Sequence, residues 1–366
     1  MAFRGIYTAP ELVPTPCGLL SVARVMKHTG RESDDTWTRG FSYEFESRPT
    51  VRLLTVNDDA VSNGELFDGE DVPRFYEYRP FFIEVEDFAS TFGLTGEDRI
   101  AKVLRQLEVA TQKAVERELW DGVASTGASN TNKYLTRADS ISVVGKLKDS
   151  GIATIYTDGD HGFRVGDWVT VASVDGAFDG IYMITDVPTG DQFRYLKSGG
   201  NVAFGADTGT ATVKANEVVD GPHDAFEALY LLENAISQSP IGGNAVIHMT
   251  RDIASILDSR LTAVTDSDGN YKYVRTVLGT KVCIGSGYTG NGPIGDGNAT
   301  ASATNKWMFA TGEVDVHLGK SEIVNDSLAQ GIGATINDMR IKAFRPAAVY
   351  FDPSCFFAVQ VTLPNA

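Results

Sequence analysis

Three cysteines in 366 residues, Cys17, Cys283 and Cys355, are too few and too far apart for a disulfide framework. None belongs to a CxxC pair, so zinc and redox motifs are excluded too, and the three read as reduced, buried thiols in a cytosolic setting. Basic residues are scarce: Lys plus Arg number 32 against 48 Asp plus Glu, for a net charge of −16. A surface built to grip a phosphate backbone is therefore not expected. Long apolar runs are missing; AVYF and CFFAVQV are typical, and MAFRGIYTAPELVP at the N-terminus has no uninterrupted apolar core. Neither a membrane-spanning helix nor a signal peptide fits that text.

Catalytic and metal motifs are equally scarce. The histidines His28, His161, His223, His248 and His317 are scattered without HxxxH or HExxH spacing, and a lone histidine is usually a satisfied structural group. Asp266, Asp268 and Asn270 imitate the start of a calcium loop, but Gly269 is in the fourth position and Val277 stands where a bidentate Glu is needed. A hairpin turn explains them better. The glycines of GSGYTGNGPIG lack a following GK[ST] and a helix, so a flexible loop is expected in place of a phosphate loop. There is no GxSxG elbow, and Asp158, Asp160 and His161 fall in a turn of a β-rich stretch, where acids face water. No catalytic residue, metal or cofactor is expected, and the chain does not read as an enzyme.

What is present is a globular text. Hydrophobic content of 42% supports two or three compact units. TGEDRIAKVLRQLEVATQKAVERELWDG, residues 95–122, reads as one long helix capped by Thr95, with Glu97 and Asp98 in its first turn and Gly122 as its stop. Ile100, Val103, Leu104, Leu107, Ala110, Ala114 and Val115 recur at three- and four-residue steps, leaving Arg99, Lys102, Arg105, Glu108, Lys113 and Glu116 on the solvent side. No second helix of that length follows. Its partner is expected to be a sheet.

Around this helix the chain divides. Residues 1–40, with Pro10, Pro14 and Pro16, lack periodicity and read as an extended arm ordered by packing on something else. Residues 41–54 and 75–88 read as two strands of a long hairpin whose connection holds Asp58, Asp59, Glu65, Asp68, Glu70 and Asp71, with no base between Arg52 and Arg74. Such a hairpin is not stable alone and needs neighbours. From about Val143 to Lys214, IATIYT, GDWVTVAS, GIYMITDV, DQFRYLK and GTATV predict five strands of a small sandwich or barrel inserted into α/β-mixed text. Residues 222–239 predict a helix, AVIHMT a strand, RDIASILDSRL a helix, and NYKYVRTVLGTKVCIGS strands. A long Gly-rich loop, residues 285–305, precedes WMFATGEVDVHLG and terminal strands interrupted by Pro346 and Pro353 at edges or turns.

Taken in order, these pieces resemble a tailed-bacteriophage major capsid protein of the Hong Kong 97-like fold. The text that carries the resemblance is QKAVERELWDG, AFEALYLLENAIS followed by NAVIHMTRDIASIL, VRTVLGTKVCIGSGY, KWMFATGEVDVHLG and RIKAFRPAAVYFDPSCFFAVQV. It is similar to capsid proteins of phages that infect actinobacteria and covers most of the chain apart from the β-rich insert. The segment HGFRVGDWVTVASVDGAFDGIYMITDV looks like a small β-module of phage structural proteins.

The resemblance implies an α+β fold: N-terminal arm (1–40), extended-loop hairpin (41–90), spine helix and first part of the peripheral domain (91–142), inserted all-β domain (143–215), axial domain (216–325) and terminal peripheral strands (326–366). It implies inter-subunit contacts at the hairpin tip, Asp59, Glu65, Leu66, Phe67 and Asp68. It also implies spine-helix packing through Ile100, Val103, Leu104, Leu107 and Ala114, and a capsomer-axis loop at Gly285, Tyr288, Gly290, Asn291 and Gly292. The partners implied are the chain itself in hexamers and pentamers, a scaffold, a portal and a decoration protein, with double-stranded DNA held only by confinement and no membrane. The place implied is the virion capsid, assembled in the host bacterial cytoplasm. No lysine lies between Lys27 and Lys102, so the hairpin cannot supply the lysine of the type member's covalent crosslinks. A prophage-derived nanocompartment shell shares the fold and would enclose cargo protein in place of DNA. A tail or adhesion module binding through the β-insert would form trimers or fibres instead.

Overall fold

A computed structural model describes residues 16–28, 37, 41–45, 51–52, 65–67, 74–90, 96–124, 132–163, 165, 167–213, 215–217, 221–239, 244–265, 271–294, 299–326, 338–353 and 356–364. The expectations placed on residues 1–15, Asp59, Asp68, Asp266, Asp268, Asn270 and Cys355 lie outside the described residues. Helix α1 (Leu19–Val22) leads into β1 (Arg24–Lys27), followed by β2 (Phe41–Phe45), β3 (Val51–Arg52), β4 (Glu65–Phe67), β5 (Arg74–Tyr78) and β6 (Phe81–Ser90). Helix α2 (Gly96–Asp121) is next. Then come β7 (Asp139–Asp149), β8 (Ile152–Thr157), β9 (Trp168–Ala172), β10 (Gly180–Thr189), β11 (Gln192–Leu196), β12 (Val202–Ala206), β13 (Thr210–Val213) and β14 (Asn216–Glu217). They are followed by α3 (Ala225–Gln238), β15 (Val246–Met249), α4 (Arg251–Ile256), β16 (Leu261–Thr265), β17 (Tyr271–Thr276) and β18 (Lys281–Ile284). The last strands are β19 (Asn305–Thr311), β20 (Asp315–Leu318), β21 (Glu322–Asp326), β22 (Asp338–Tyr350) and β23 (Phe357–Thr362).

The first sheet is built on β22. One edge of this 13-residue strand pairs antiparallel with β6; the other pairs with β21 and then β20, and β1 joins β20 in parallel. Pro346 was expected at a sheet edge or turn, yet it sits inside β22. Its carbonyl accepts from Gly319 N (2.8 Å), so its missing N–H faces the edge where the partner changes from β21 to β20. Helix α2, 26 residues and about 39 Å long, lies on this sheet. Val103, Leu107, Val115, Leu119 and Trp120 share one core with Ile83, Ile341, Ala343, Ala347 and Val349. Each Val, Leu or Ile among them, fully buried, stabilises by about 1.5–3 kcal/mol.

Two expectations need correcting here. Leu19 and Val22 of α1 belong to that same core, so residues 16–28 are built into the chain's own body and are not a free arm. Glu116, assigned to the solvent side of α2, is completely buried.

The second sheet runs β14-β23-β19-β15-β18-β17-β16. It is apolar on both faces: in β19, Met308 and Ala310 join a core with α3 and α4, whereas Trp307 and Phe309 face the α2 core. The expected division at residue 325 is therefore shifted. β20 and β21 belong to the first sheet, and the terminal strand β23 belongs to the second.

Residues 139–213 form a third sheet in which β7-β13-β9-β10-β11-β8 closes through a β7–β8 pairing into a barrel, with β12 attached outside to β7. Ile155, Val169, Val171, Phe178, Ile184, Phe193 and Tyr195 fill it. Seven strands replace the five expected. β7 escaped notice because Lys146 and Lys148 obscure its alternation; their ammonium groups turn back to the carbonyls of Val174 (3.2 Å) and Ala177 (3.5 Å).

The hairpin region is also more divided than its sequence suggests. β2 pairs with β5 and β3 with β4, in two-stranded ladders separate from the larger sheets among the described residues. The expected strand 75–88 is broken at Arg79 and Pro80, after which β6 crosses to β22. The break is pinned: Asn132 binds Arg79 N (2.6 Å) and O (2.8 Å), and Tyr78 Oη donates to Phe351 O (2.7 Å).

Candidate functional site

The densest buried polar grouping lies where α1, the C-terminal half of α2 and the Gly-rich loop after β18 converge. Glu116 is its centre. Its carboxylate accepts from Leu19 N (3.0 Å), Gln112 Nε2 (3.1 Å), Ser286 Oγ (3.1 Å) and Gly287 N (2.7 Å), so one side chain ties three chain segments. Gly287 permits the approach, because a Cβ there would lie 2.4 Å from the Lys113 carbonyl. One turn further on, Trp120 Nε1 donates to Asn291 O (3.0 Å) and Thr289 Oγ1 to Asp121 (2.9 Å). Gly122, at φ +60°, then ends the helix as expected.

Beneath this junction runs a buried chain of polar contacts. His248 Nε2 meets Thr311 Oγ1 (2.9 Å), His248 Nδ1 meets Tyr288 Oη (2.8 Å), and Tyr288 Oη meets Cys283 Sγ (3.0 Å). A cysteine and a histidine bridged by a tyrosine invite a nucleophile reading. Burial decides against it: it pushes the Cys283 thiol and the Tyr288 phenol well up, and the His248 imidazole down to about 3. All three are neutral near pH 7, and the trio fastens the loop to β15 and β19. Among the described residues no group of three or more His, Cys, Asp or Glu is placed to hold a metal ion.

A second junction secures β1. Arg24 pairs with Asp315, which also accepts from Tyr350 Oη, and His28 Nε2 lies 2.7 Å from His317 Nδ1 with Trp37 edge-on to His28. Burial and then the neighbouring His28 lower the His317 pKa to about 4. On the opposite side, Arg345 of β22 grips Glu108 of α2 through its two terminal guanidinium nitrogens, Nη2 (2.6 Å) and Nη1 (3.0 Å), and this bond holds the Glu108 carboxyl below its usual range.

Of the residues singled out in the sequence, Val103 and Leu107 are fully buried, and Ile100, Leu104 and Ala114 are partly so. Glu65, Leu66 and Phe67 form β4. Gly285, Tyr288, Gly290 and Gly292 are buried in the junction and Asn291 is bonded within it, which corrects the expectation of a flexible loop there. Glu116, Arg345 and the His28–His317 pair were missed. Charged residues are ordinarily solvated, so periodicity alone assigns Glu116 outward; its one sequence signal is Gln112, four residues earlier on the same face.

No family model matches the chain, and no curated protein matches it. Solved structures do resemble it in overall course. The capsid of an empty GTA particle is 10% identical, with 99% of this chain and 96% of that one covered at a TM-score of 0.47. A chain of Gordonia phage Cozz is 10% identical over 100% and 92%, at 0.46. One of Microbacterium phage Oxtober96 is 9% identical over 98% and 95%, also at 0.46.

Proposed function

We propose that this chain is a major capsid protein that self-assembles into the icosahedral shell enclosing a phage double-stranded DNA genome. The observation that carries the reading is the pair of ladders β2–β5 and β3–β4. Two-stranded ladders of this size are marginal in water, and among the described residues neither joins a larger sheet. A neighbouring subunit supplies the missing support. The sequence resemblance and the long helix laid across the β6–β22 pair agree with that role, as does the use of the buried polar groups in fastening. On this reading the first sheet with α2 is the peripheral part and the second sheet with α3 and α4 the axial part. The barrel is a surface insert. Gly285–Gly292 are held inside the subunit, and Ile294, Ala299 and Ala301 are tied back to Thr136, Gly292 and Asn291, so these described residues serve the subunit's own packing. Hexamers and pentamers, a scaffold, a portal and a decoration protein are the partners this role calls for, in a virion assembled in the host cytoplasm.

Negative-stain imaging of the purified chain expressed with its scaffold, with mass from light scattering on the same sample, tests the proposal. Closed shells, or rings of five and six, are the expected result. A uniform dimer to tetramer with scaffold present overturns it, and fibres or trimers favour a tail or adhesion module.

A further inference from the structure

The buried contacts among Cys283, Tyr288, His248 and Thr311 have one direction. Thr311 Oγ1 lies 2.8 Å from the Gly312 carbonyl, which has no proton to give, so the hydroxyl proton sits on that contact. Thr311 Oγ1 therefore accepts from His248 Nε2–H at 2.9 Å, which assigns the single proton of the neutral imidazole to Nε2. His248 Nδ1 is then a bare lone pair, and Tyr288 Oη donates to it (2.8 Å). With the phenol proton committed there, the Cys283 thiol donates to Tyr288 Oη (3.0 Å). The order is thiol, phenol, imidazole, hydroxyl, carbonyl, each bond polarising the next. Other buried phenols end differently. Tyr78 and Tyr195 donate to the backbone carbonyls of Phe351 (2.7 Å) and Phe178 (2.9 Å), which take up no proton, and Tyr350 donates to Asp315, a carboxylate that Arg24 already holds. The Trp120 ring lies 4.5 Å from that of Tyr288, and its Nε1–H is bound to the Asn291 carbonyl (3.0 Å).

We propose that Tyr288 is a redox site that gives an electron to one-electron oxidants, with His248 taking its proton and Cys283 restoring it. In the first step the oxidant gains one electron, and the Tyr288 phenol proton moves along its existing bond to His248 Nδ1. A neutral tyrosyl radical and an imidazolium result. Loss of an electron makes the phenol a far stronger acid than an imidazolium, so the transfer runs downhill even in a dry site. The charge left there is costly without a partner. The Glu116 carboxylate supplies one, bonded to Ser286 Oγ and Gly287 N immediately before Tyr288. In the second step the Cys283 S–H hydrogen atom passes to the phenoxyl oxygen, leaving a thiyl radical and an intact Tyr288. The substrates are diffusible one-electron oxidants of the peroxide- and carbonate-derived radical class. An electron lost first from Trp120 is replaced from Tyr288, because a carbonyl cannot relieve Trp120 of its proton. The site belongs to the single subunit and does not rest on the shell reading.

The test oxidises the full-length chain with photogenerated tris(bipyridine)ruthenium(III) and reads frozen samples by electron paramagnetic resonance. Cys283→Ala, which removes the hydrogen donor, is expected to give a tyrosyl signal longer-lived than that of the wild type. In that background Tyr288→Phe, which keeps the ring beside Trp120, and His248→Gln, whose amide takes no proton, should each abolish the signal. Tyr230→Phe, which removes a residue 68% exposed, should leave it unchanged. A signal that persists in Tyr288→Phe or in His248→Gln overturns the proposal, as does one lost in Tyr230→Phe. The wild-type chain gives a reading that needs no substitution. Dissolved dioxygen converts a thiyl to sulfinic and sulfonic acids, which peptide mass mapping locates. After ruthenium oxidation Cys283, fully buried, is expected to be converted ahead of the half-buried Cys17, whereas hydrogen peroxide, which needs an accessible thiolate, should convert Cys17 first. Cys17 ahead of Cys283 under both oxidants overturns the proposal. Assembly does not enter either reading, so failure here leaves the shell proposal standing, and failure to form shells leaves this one.

Discussion

At the scale of single residues, the body is fastened by buried groups that have no solvent to fall back on. Removing the Glu116 carboxylate strands the amides of Leu19 and Gly287, so Glu116→Ala is expected to cost about 3–5 kcal/mol in urea unfolding. Glu116→Gln keeps one acceptor oxygen and should cost clearly less; equal losses would show that the hydrogen bonds are not what matters. His248 gives a pH dependence of definite sign. Its folded pKa of about 3 lies below the ordinary value of 6.5, so it stays neutral in the fold while the unfolded chain takes up a proton. Its contribution is complete above pH 6.5 and is lost as the pH falls from there toward 3, on the order of 5 kcal/mol in all. Carboxylates also titrate in that window, so the comparison is with His248→Gln. Between pH 7 and pH 4 the variant's unfolding free energy should fall by about 3 kcal/mol less than the wild type's, and parallel curves would refute the assignment.

At the scale of elements, the first strand and helix behave unlike an arm. Leu19 and Val22 are in the α2 core, and β1 is held by backbone pairing and by the Arg24–Asp315 contact. Deleting residues 1–28 is therefore expected to lower stability by at least about 4 kcal/mol, judged from large-to-small core changes. An unchanged urea midpoint would mean the segment serves only neighbouring subunits. The prolines and missing periodicity that suggested an arm were real signals, but α1 is one turn long and β1 four residues, too short for either period to register. Helices α2, α3 and α4 and most strands were legible because their apolar spacing repeats. β7 was not, since its lysines, Lys148 buried and Lys146 half-buried, look like solvent-facing ones. Nor was the uninterrupted course of β22 through Pro346, which depends on a change of partner that only the assembled sheet supplies. The loop from Gly285 reads as flexible from composition, yet its glycines serve close packing against α2 and Trp307.

At the scale of the whole molecule, the barrel and the body have separate cores among the described residues. No residue of the barrel core is shared with the other two large cores. The chain enters at Asp139 and leaves at Val213, and these two are register partners in β7 and β13, so their Cα atoms are about 4.5–5.5 Å apart. The crossing is clamped on the body side. Burial alone would raise the Asp139 carboxyl, but Lys133 (2.5 Å) and Arg137 (2.6 Å) hold it below its usual range. Replacing residues 139–213 with a linker of two or three Gly and Ser residues is thus expected to close without strain. The truncated chain should keep the urea midpoint of the body and, on the proposed reading, its ability to form closed particles. Loss of the folded body would mean that the barrel supports it across the junction. A folded body that no longer assembles would place contacts between subunits on the barrel.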